Sequence, residues 1–113
     1  MITTINDPIN IHVVPICSPR SGEPVRNQYT IKIPNKVCFQ SYNSLIAVYD
    51  VESKHLILGY HFDYSVTTSK YLHEWLKEYC YPLYSSLPKG KSLKDTLYKA
   101  IDAGLIEYDE NMV

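Results

Sequence analysis

Hydrophobic and polar residues alternate with a period of two along residues 28–60. After residue 65 the period lengthens to that of a helix, which predicts a sheet followed by helices. Tyr29, Ile31 and Ile33 fall on one side of their strand, with Thr30 and Lys32 on the other. Pro34-Asn35 reads as a turn, because proline presets φ at the first turn position and asparagine tolerates left-handed geometry at the next. Lys36 to Gln40 then returns antiparallel. Ser44 to Asp50 is almost continuously apolar, the pattern of a central strand covered on both faces. A polar turn at residues 51–54 and a strand at His55–Tyr60 complete a β-meander.

Leu72, Trp75, Leu76 and Tyr79 recur at i, i+3, i+4, i+7, the stripe of an amphipathic helix over 65–81. Ser65, Thr67 and Thr68 each offer an oxygen to cap its first turn, and Pro82 should stop it. A second helix is expected over 92–103. Ser92 to Asp95 resembles a capping box with aspartate in place of glutamate, and Gly104 suits the left-handed position after the helix end. Residues 105–108 read as a short last strand. Residues 1–27 hold four of the seven prolines, and Pro15 demotes Asn10–Ile16 to an edge strand or extended arm. The expected organisation is thus an arm over 1–27 and one α+β domain over 28–113. That domain should hold a largely antiparallel sheet of three to five strands with two helices on one face.

Composition narrows the function classes. The chain has 113 residues, enough for one core, with a formal net charge of −1, which argues against a general basic nucleic-acid binder. No apolar run reaches the roughly 18 residues that span a membrane, and the opening Met1–Pro8 carries no basic or apolar leader pattern. An intracellular protein is expected. The cysteines, Cys17, Cys38 and Cys80, are odd in number and widely spaced, without a CxxC pair, so they do not read as a disulfide framework. Eleven of the fourteen aromatics are tyrosine, a side chain with an apolar body and a polar tip that suits both half-buried boundaries and interaction surfaces.

Catalytic and metal chemistry find little support. The four histidines form no HxxxH or HExxH arrangement, and His73 with Cys80 supplies two ligands where zinc needs more. Gly90-Lys91-Ser92 echoes the end of a phosphate loop, but its first glycine would fall at Ser85 and a helix precedes it where a strand belongs. No cofactor, metal or catalytic residue is therefore assigned, although Cys38 as a nucleophile paired with a distant histidine stays open. Lys89, Lys91, Lys94 and Lys99 against Asp95 give residues 89–99 a net charge of +3. That run is either a solvated helix face or a nucleic-acid contact.

Two motifs stand in order: Phe39-Gln40-Ser41-Tyr42-Asn43-Ser44-Leu45-Ile46-Ala47, then Phe62-Asp63-Tyr64-Ser65-Val66-Thr67-Thr68-Ser69-Lys70-Tyr71. Together they resemble a small domain of unknown function found in phage, plasmid and other mobile-element proteins, with the patterns F-Q-S-Y-x-[ST]-x-I-A and D-Y-S-x-T-T-x-K-Y. The resemblance covers about residues 28–80. His61-Phe62 is a mild departure, since many relatives carry a second aromatic there. The N-terminal arm and the second helix lie outside it. The resemblance implies a mobile-element source and a small accessory protein of the host cytoplasm that binds a host or phage protein.

Because the chain reverses at 51–54, residues 39–44 and 61–68 should return to one end of the sheet. There Gln40, Ser41, Tyr42, Asp63, Tyr64, Thr67 and Thr68 form a polar-aromatic cluster, joined by the Ser44 and Ser65 hydroxyls. Either Asp63 and Thr67 cap the helix while Gln40 and Ser41 satisfy the turn, or the cluster recognises a partner between Tyr42 and Tyr64. The expected function is a non-enzymatic protein-interaction protein, more narrowly an anti-CRISPR-like inhibitor of a host defence complex. An edge at 10–16 or 29–33 is available for strand addition or homo-oligomers. The alternative is a nucleic-acid-binding accessory protein using residues 89–99.

Overall fold

Residues 10–113 are described by a computed structural model; of the expected arm over 1–27, residues 1–9 lie outside the described residues. Strands β1 (His12–Cys17), β2 (Pro24–Ile33), β3 (Lys36–Ser41), β4 (Ser44–Asp50) and β5 (His55–Gly59) pair in chain order as an antiparallel meander. Helices α1 (Val66–Tyr79), α2 (Tyr81–Ser86) and α3 (Leu93–Asp102) follow, and β6 (Glu107–Asp109) closes the order by pairing parallel to β5. The α+β class and the meander stand as expected. The sheet has six strands where three to five were expected, with both terminal segments paired into it as β1 and β6, and a third helix is present.

Two tight turns set the meander. Pro34-Asn35 joins β2 to β3, with Asn35 at φ 68°, the positive value that the second turn position requires. Tyr42-Asn43 joins β3 to β4. The expected arm is a paired strand from His12 onward, and β2 starts at Pro24 rather than near residue 28. Segment 29–33 is consequently not an edge, because β1 pairs with it on one side and β3 on the other.

The core lies between the sheet and the helices. Phe39 and Trp75 are both within 1% of complete burial and stack with ring centroids 6.1 Å apart. Burying a side chain of this size contributes about 1.5–3 kcal/mol. Leu72, Leu76, Leu97 and Ala100 supply the helix side, and Ala47, Tyr49, Leu56 and Leu58 the sheet side. A bulge in β4 opposite Phe39 and Gln40 brings Ile46 as well as Ala47 into this cluster.

The register reverses the reading of β2. Gln28 and Thr30, not Tyr29 and Ile31, are fully buried. Thr30 stands opposite Phe39 and Gln28 opposite Ser41, so the polar side of β2 turns toward the helices, and its aliphatic side is half-buried on the other face. For the same reason β4 is central but covered by helices on one face only, with Val48 left half-buried.

Pro82 follows the end of α1, as expected, but does not bar a further helix. It occupies the first turn of α2, where a missing N–H costs nothing, and Cys80 ends α1 and begins α2. Cys80 is fully buried and its thiol is pushed up by desolvation. No helix of the described residues is long and apolar enough to cross a membrane.

Gly59 fixes the end of β5 against the C-terminal tail, where Tyr60 N–H donates to the Met112 carbonyl at 2.9 Å. A Cβ on Gly59 would sit 2.5 Å from that carbonyl and 2.7 Å from the Leu45 carbonyl. Gly59→Ala should therefore destabilise the fold by about 1–3 kcal/mol, an overpacking cost, in urea unfolding. Gly22→Ala is the contrast: it has open space, and only its left-handed φ opposes it.

Candidate functional site

The β3–β4 turn and the start of α1 meet at one end of the sheet and enclose a cleft of about 520 Å³. Ser41, Tyr42, Asn43, Ser44 and Ile46 line one side, and His61, Tyr64, Ser65, Thr67 and Thr68 the other. The two sequence motifs thus converge as their order predicts. Of the seven expected residues, Ser41, Tyr42, Tyr64, Thr67 and Thr68 line the cleft.

Its floor is a chain of hydroxyls. Ser65 caps α1, accepting from Thr68 N–H at 3.1 Å. Its hydroxyl donates to Thr68 Oγ1 at 3.1 Å, and Thr68 Oγ1 shares a 2.9 Å bond with Ser41 Oγ. Three hydroxyl hydrogens serve two O–H···O bonds, so one, on Ser41 or Thr68, is uncommitted. Gln28, opposite Ser41 across the strand pair, is fully buried, and its amide has no hydrogen-bond partner among the described residues. A buried polar group in that state costs about 1–3 kcal/mol.

The walls are aromatic. Tyr64 is 72% exposed and Tyr42 47%. His61 lies edge-on to Tyr60 and Tyr64, with centroids 5.0 and 5.4 Å away. Tyr42 holds a left-handed backbone at φ 55°, which is uncommon for a bulky residue and costs roughly 1–3 kcal/mol. Two bonds hold it there. Its N–H donates to the Asn27 carbonyl at 2.7 Å, and Gln40 Nε2 donates to its carbonyl at 2.8 Å. Gln40 is therefore a support for Tyr42 and not a wall of the cleft.

Asp63 departs from both expected roles. It neither caps α1 nor lines the cleft. Its carboxylate accepts from Tyr98 O–H at 2.8 Å and pairs with Lys94 at 3.5 Å. The side chain before it, Phe62, packs against Tyr98 and Tyr108, so Asp63 is carried to α3. Thr67 is exposed in the first turn and caps nothing. Among the described residues no Asp, Glu, Lys or Arg lines the cleft, and the first turn of α1 has no acidic residue. The positive end of the helix dipole is thus left unmatched there.

The basic segment is largely engaged within the chain. Lys89 donates to the Leu87 carbonyl at 2.9 Å and lies 4.3 Å over the Tyr84 ring, Lys94 pairs with Asp63, and Lys99 pairs with Asp95 at 3.2 Å. The α3 N-terminus is filled from within. Ser92 Oγ accepts from Asp95 N–H, Asp95 Oδ2 accepts from Lys91 N–H, and Gly90 N–H donates to Thr96 Oγ1. Lys91 itself stays exposed. Cys38 stands between Ile31 and Val48 on the strand ladder, and burial pushes its thiol up, the reverse of what a thiolate nucleophile needs. Among the described residues no three His, Cys, Asp or Glu side chains are placed to hold a metal.

Sequence reasoning missed Asn43, Ile46 and His61. Asn43 and His61 lie within the two segments it named, 39–44 and 61–68, without being chosen, whereas Ile46 reaches the cleft region through a bulge that leaves no mark in the sequence.

A six-stranded sheet with helices on one face and a tyrosine-walled cleft at one end make this a small α+β domain. The chain belongs to a family of unknown function, DUF8033, whose model matches residues 11–86. The match takes in β1 and α2 and stops short of α3 and β6. No curated protein and no solved structure matches the chain significantly.

Two outcomes test this geometry. Thr68→Val removes both hydroxyl bonds and leaves buried Ser41 unpaired, so it should cost about 1–3 kcal/mol in chemical unfolding, whereas exposed Thr67→Val should change stability by less than about 0.5 kcal/mol. The Asp63 hydrogen bond pushes Tyr98 up to about 12. The folded value lies above the unfolded one, so this contribution to stability is complete below about pH 10 and is lost as pH rises through 12. In an NMR titration Tyr98 should ionise late, and Asp63→Asn should return it toward 10.

Proposed function

We propose that the chain is a non-enzymatic protein-binding module whose cleft receives a hydrogen-bond-accepting group of a partner protein. The observation that carries this reading is Tyr42, an aromatic residue held in a left-handed conformation by Asn27 and Gln40 with its ring half in solvent. A turn needs no tyrosine at such a position; glycine or asparagine fits it without strain. Backbone strain that survives around an exposed aromatic is characteristic of sites that bind.

The floor supports the same reading. An uncommitted hydroxyl hydrogen and the unmatched helix dipole both favour an acceptor such as a carbonyl or carboxylate. A phosphate dianion is less suited, since no lysine or arginine lines the cleft to meet its charge. Exposed Tyr42 and Tyr64 supply rigid amphipathic area of the kind that anchors protein interfaces. The partner is a host or phage protein, and inhibition of a host defence complex is the narrower form of the proposal. These two points rest on the motif resemblance alone.

Wild-type and variant chains immobilised against bacterial lysate, with and without nuclease, provide the test. Tyr42→Gly should keep stability within about 1 kcal/mol of wild type, because glycine relieves the strain it removes, yet it should lose a partner that survives nuclease. Tyr64→Ala should lose the same partner. The double variant Lys91→Ala with Lys94→Ala should keep it. Recovery of nuclease-sensitive nucleic acid alone, abolished by the lysine changes, would contradict the proposal in favour of Lys89, Lys91, Lys94 and Lys99.

A further inference from the structure

Exposed rings continue past the cleft toward the β5–β6 edge. His61 lies edge-on between Tyr64 and Tyr60. Tyr108 stands opposite Leu58, two residues before Tyr60, and Tyr98 follows on α3. Buried Phe62 lies beneath this far end, its ring 5.1 Å from Tyr98 and 6.1 Å from Tyr108. Tyr60 and Tyr64 are more than half exposed, and Tyr98 and Tyr108 more than a third. Exposed aromatics gathered in one row mark a contact surface rather than the rim of a core.

The charge beside the row is negative. Residues 100–113 hold Asp102, Glu107, Asp109 and Glu110 and no lysine or arginine. Glu107 bonds His55, and the other three make no ion pair among the described residues. Within β6, Glu107 and Asp109 alternate with Tyr108 and point to the opposite face, which leaves Glu110 as the unpaired carboxylate of the row. Tyr98 is pushed up by its hydrogen bond to Asp63 and then by desolvation, and Tyr108 by desolvation and then by the charges of Glu110, Tyr60 and Asp63. The chain itself seats a cation at one end of the row. Lys94 lies 6.0 Å over the Tyr98 ring and pairs with Asp63 at 3.5 Å. Tyr60, Tyr108 and Glu110 repeat that combination of ring and carboxylate, and among the described residues no lysine or arginine of the chain stands over them.

We propose that Tyr60, Tyr108 and Glu110 are a second contact of the same interface and take an arginine side chain of the partner protein. The inference rests on the reading of the chain as a protein-binding module. It adds the chemistry of the partner: an acceptor group for the cleft and a guanidinium for the row. Arginine fits better than lysine, because its planar guanidinium stacks on a ring while its N–H groups reach a carboxylate. The same charge disfavours other occupants. A second copy would bring its own acids against Glu110, and nucleic acid or an anionic membrane would bring more negative charge.

The test is an NMR titration of the full chain, its tyrosine rings labelled, with a short blocked arginine peptide and with its citrulline counterpart, which keeps the shape and loses the charge. The arginine peptide should shift the Tyr60 and Tyr108 ring signals, added salt should weaken it, and the citrulline peptide should bind less well. Glu110→Gln and Tyr60→Ala, both at exposed positions, should each weaken the arginine peptide about two- to fivefold, the size of an exposed cation–π contact. Equal binding of the two peptides, or binding unchanged in both variants, would overturn the proposal. Against lysate, the double variant Tyr60→Ala with Glu110→Gln should lose the partner that Tyr42→Gly loses. If the double variant keeps that partner while Tyr42→Gly loses it, the row contact falls and the cleft reading stands. If Tyr42→Gly keeps the partner and the double variant loses it, the cleft reading falls and the row contact stands.

Discussion

The register between β2 and β3 decides the rest of this structure. Placing Thr30 opposite Phe39 and Gln28 opposite Ser41 commits every second residue of both strands to the helix side. Phe39 then reaches Trp75, and Ser41 reaches Thr68 at the N-terminus of α1. A slip of one residue would exchange the faces of β2 and break the match. The cost of the chosen register is also visible, since it buries Gln28 with no partner among the described residues and leaves Ile31 and Ile33 on the face away from the helices. Both the cleft floor and the half-buried aliphatic side of β2 follow from that single pairing.

The cleft is a product of chain ends rather than of a dedicated loop. Ser41 closes β3, Ser44 opens β4, and Ser65 caps α1, so each hydroxyl has a local structural reason to be polar. The Ser65–Thr68–Ser41 hydroxyl chain joins two of these ends, β3 and α1, and Ser44 lines the cleft beside it. Tyr42 is different, because its backbone conformation works against its own side chain and is maintained by neighbours. On the proposed reading, stability and recognition are separable here: the hydroxyls hold the corner together, and the exposed tyrosines give it an outward surface.

Much of this architecture was legible in the sequence. Alternation gave the meander, the 3.6 period gave α1, and Ser92 and Gly104 bracketed α3. The reversal at residues 51–54 brought the two motifs together as expected. The failures have identifiable physical causes. Alternation in β2 shows two faces but not which one the helices cover, and tertiary packing chose the polar side. Pro82 reads correctly as lying beyond the end of α1, yet proline also starts helices, and α2 went unread. Asp63 reads as a cap until Tyr98, 35 residues on, offers its hydroxyl. The parallel pairing of β6 and the β4 bulge depend on long-range closure, which local pattern does not carry.

The most direct check of the account is a methyl NOE experiment on β2, because the register claim underlies both the cleft floor and the two faces of that strand. The Thr30 methyl should show contacts to α1 side chains, and the Ile31 methyls should show contacts to Val13 and Cys38 and none to α1. Contacts from Ile31 to Trp75 or Tyr79, with Thr30 silent toward the helix, would reverse the faces of β2. They would remove the basis for the cleft floor and for the half-buried aliphatic side of β2 together.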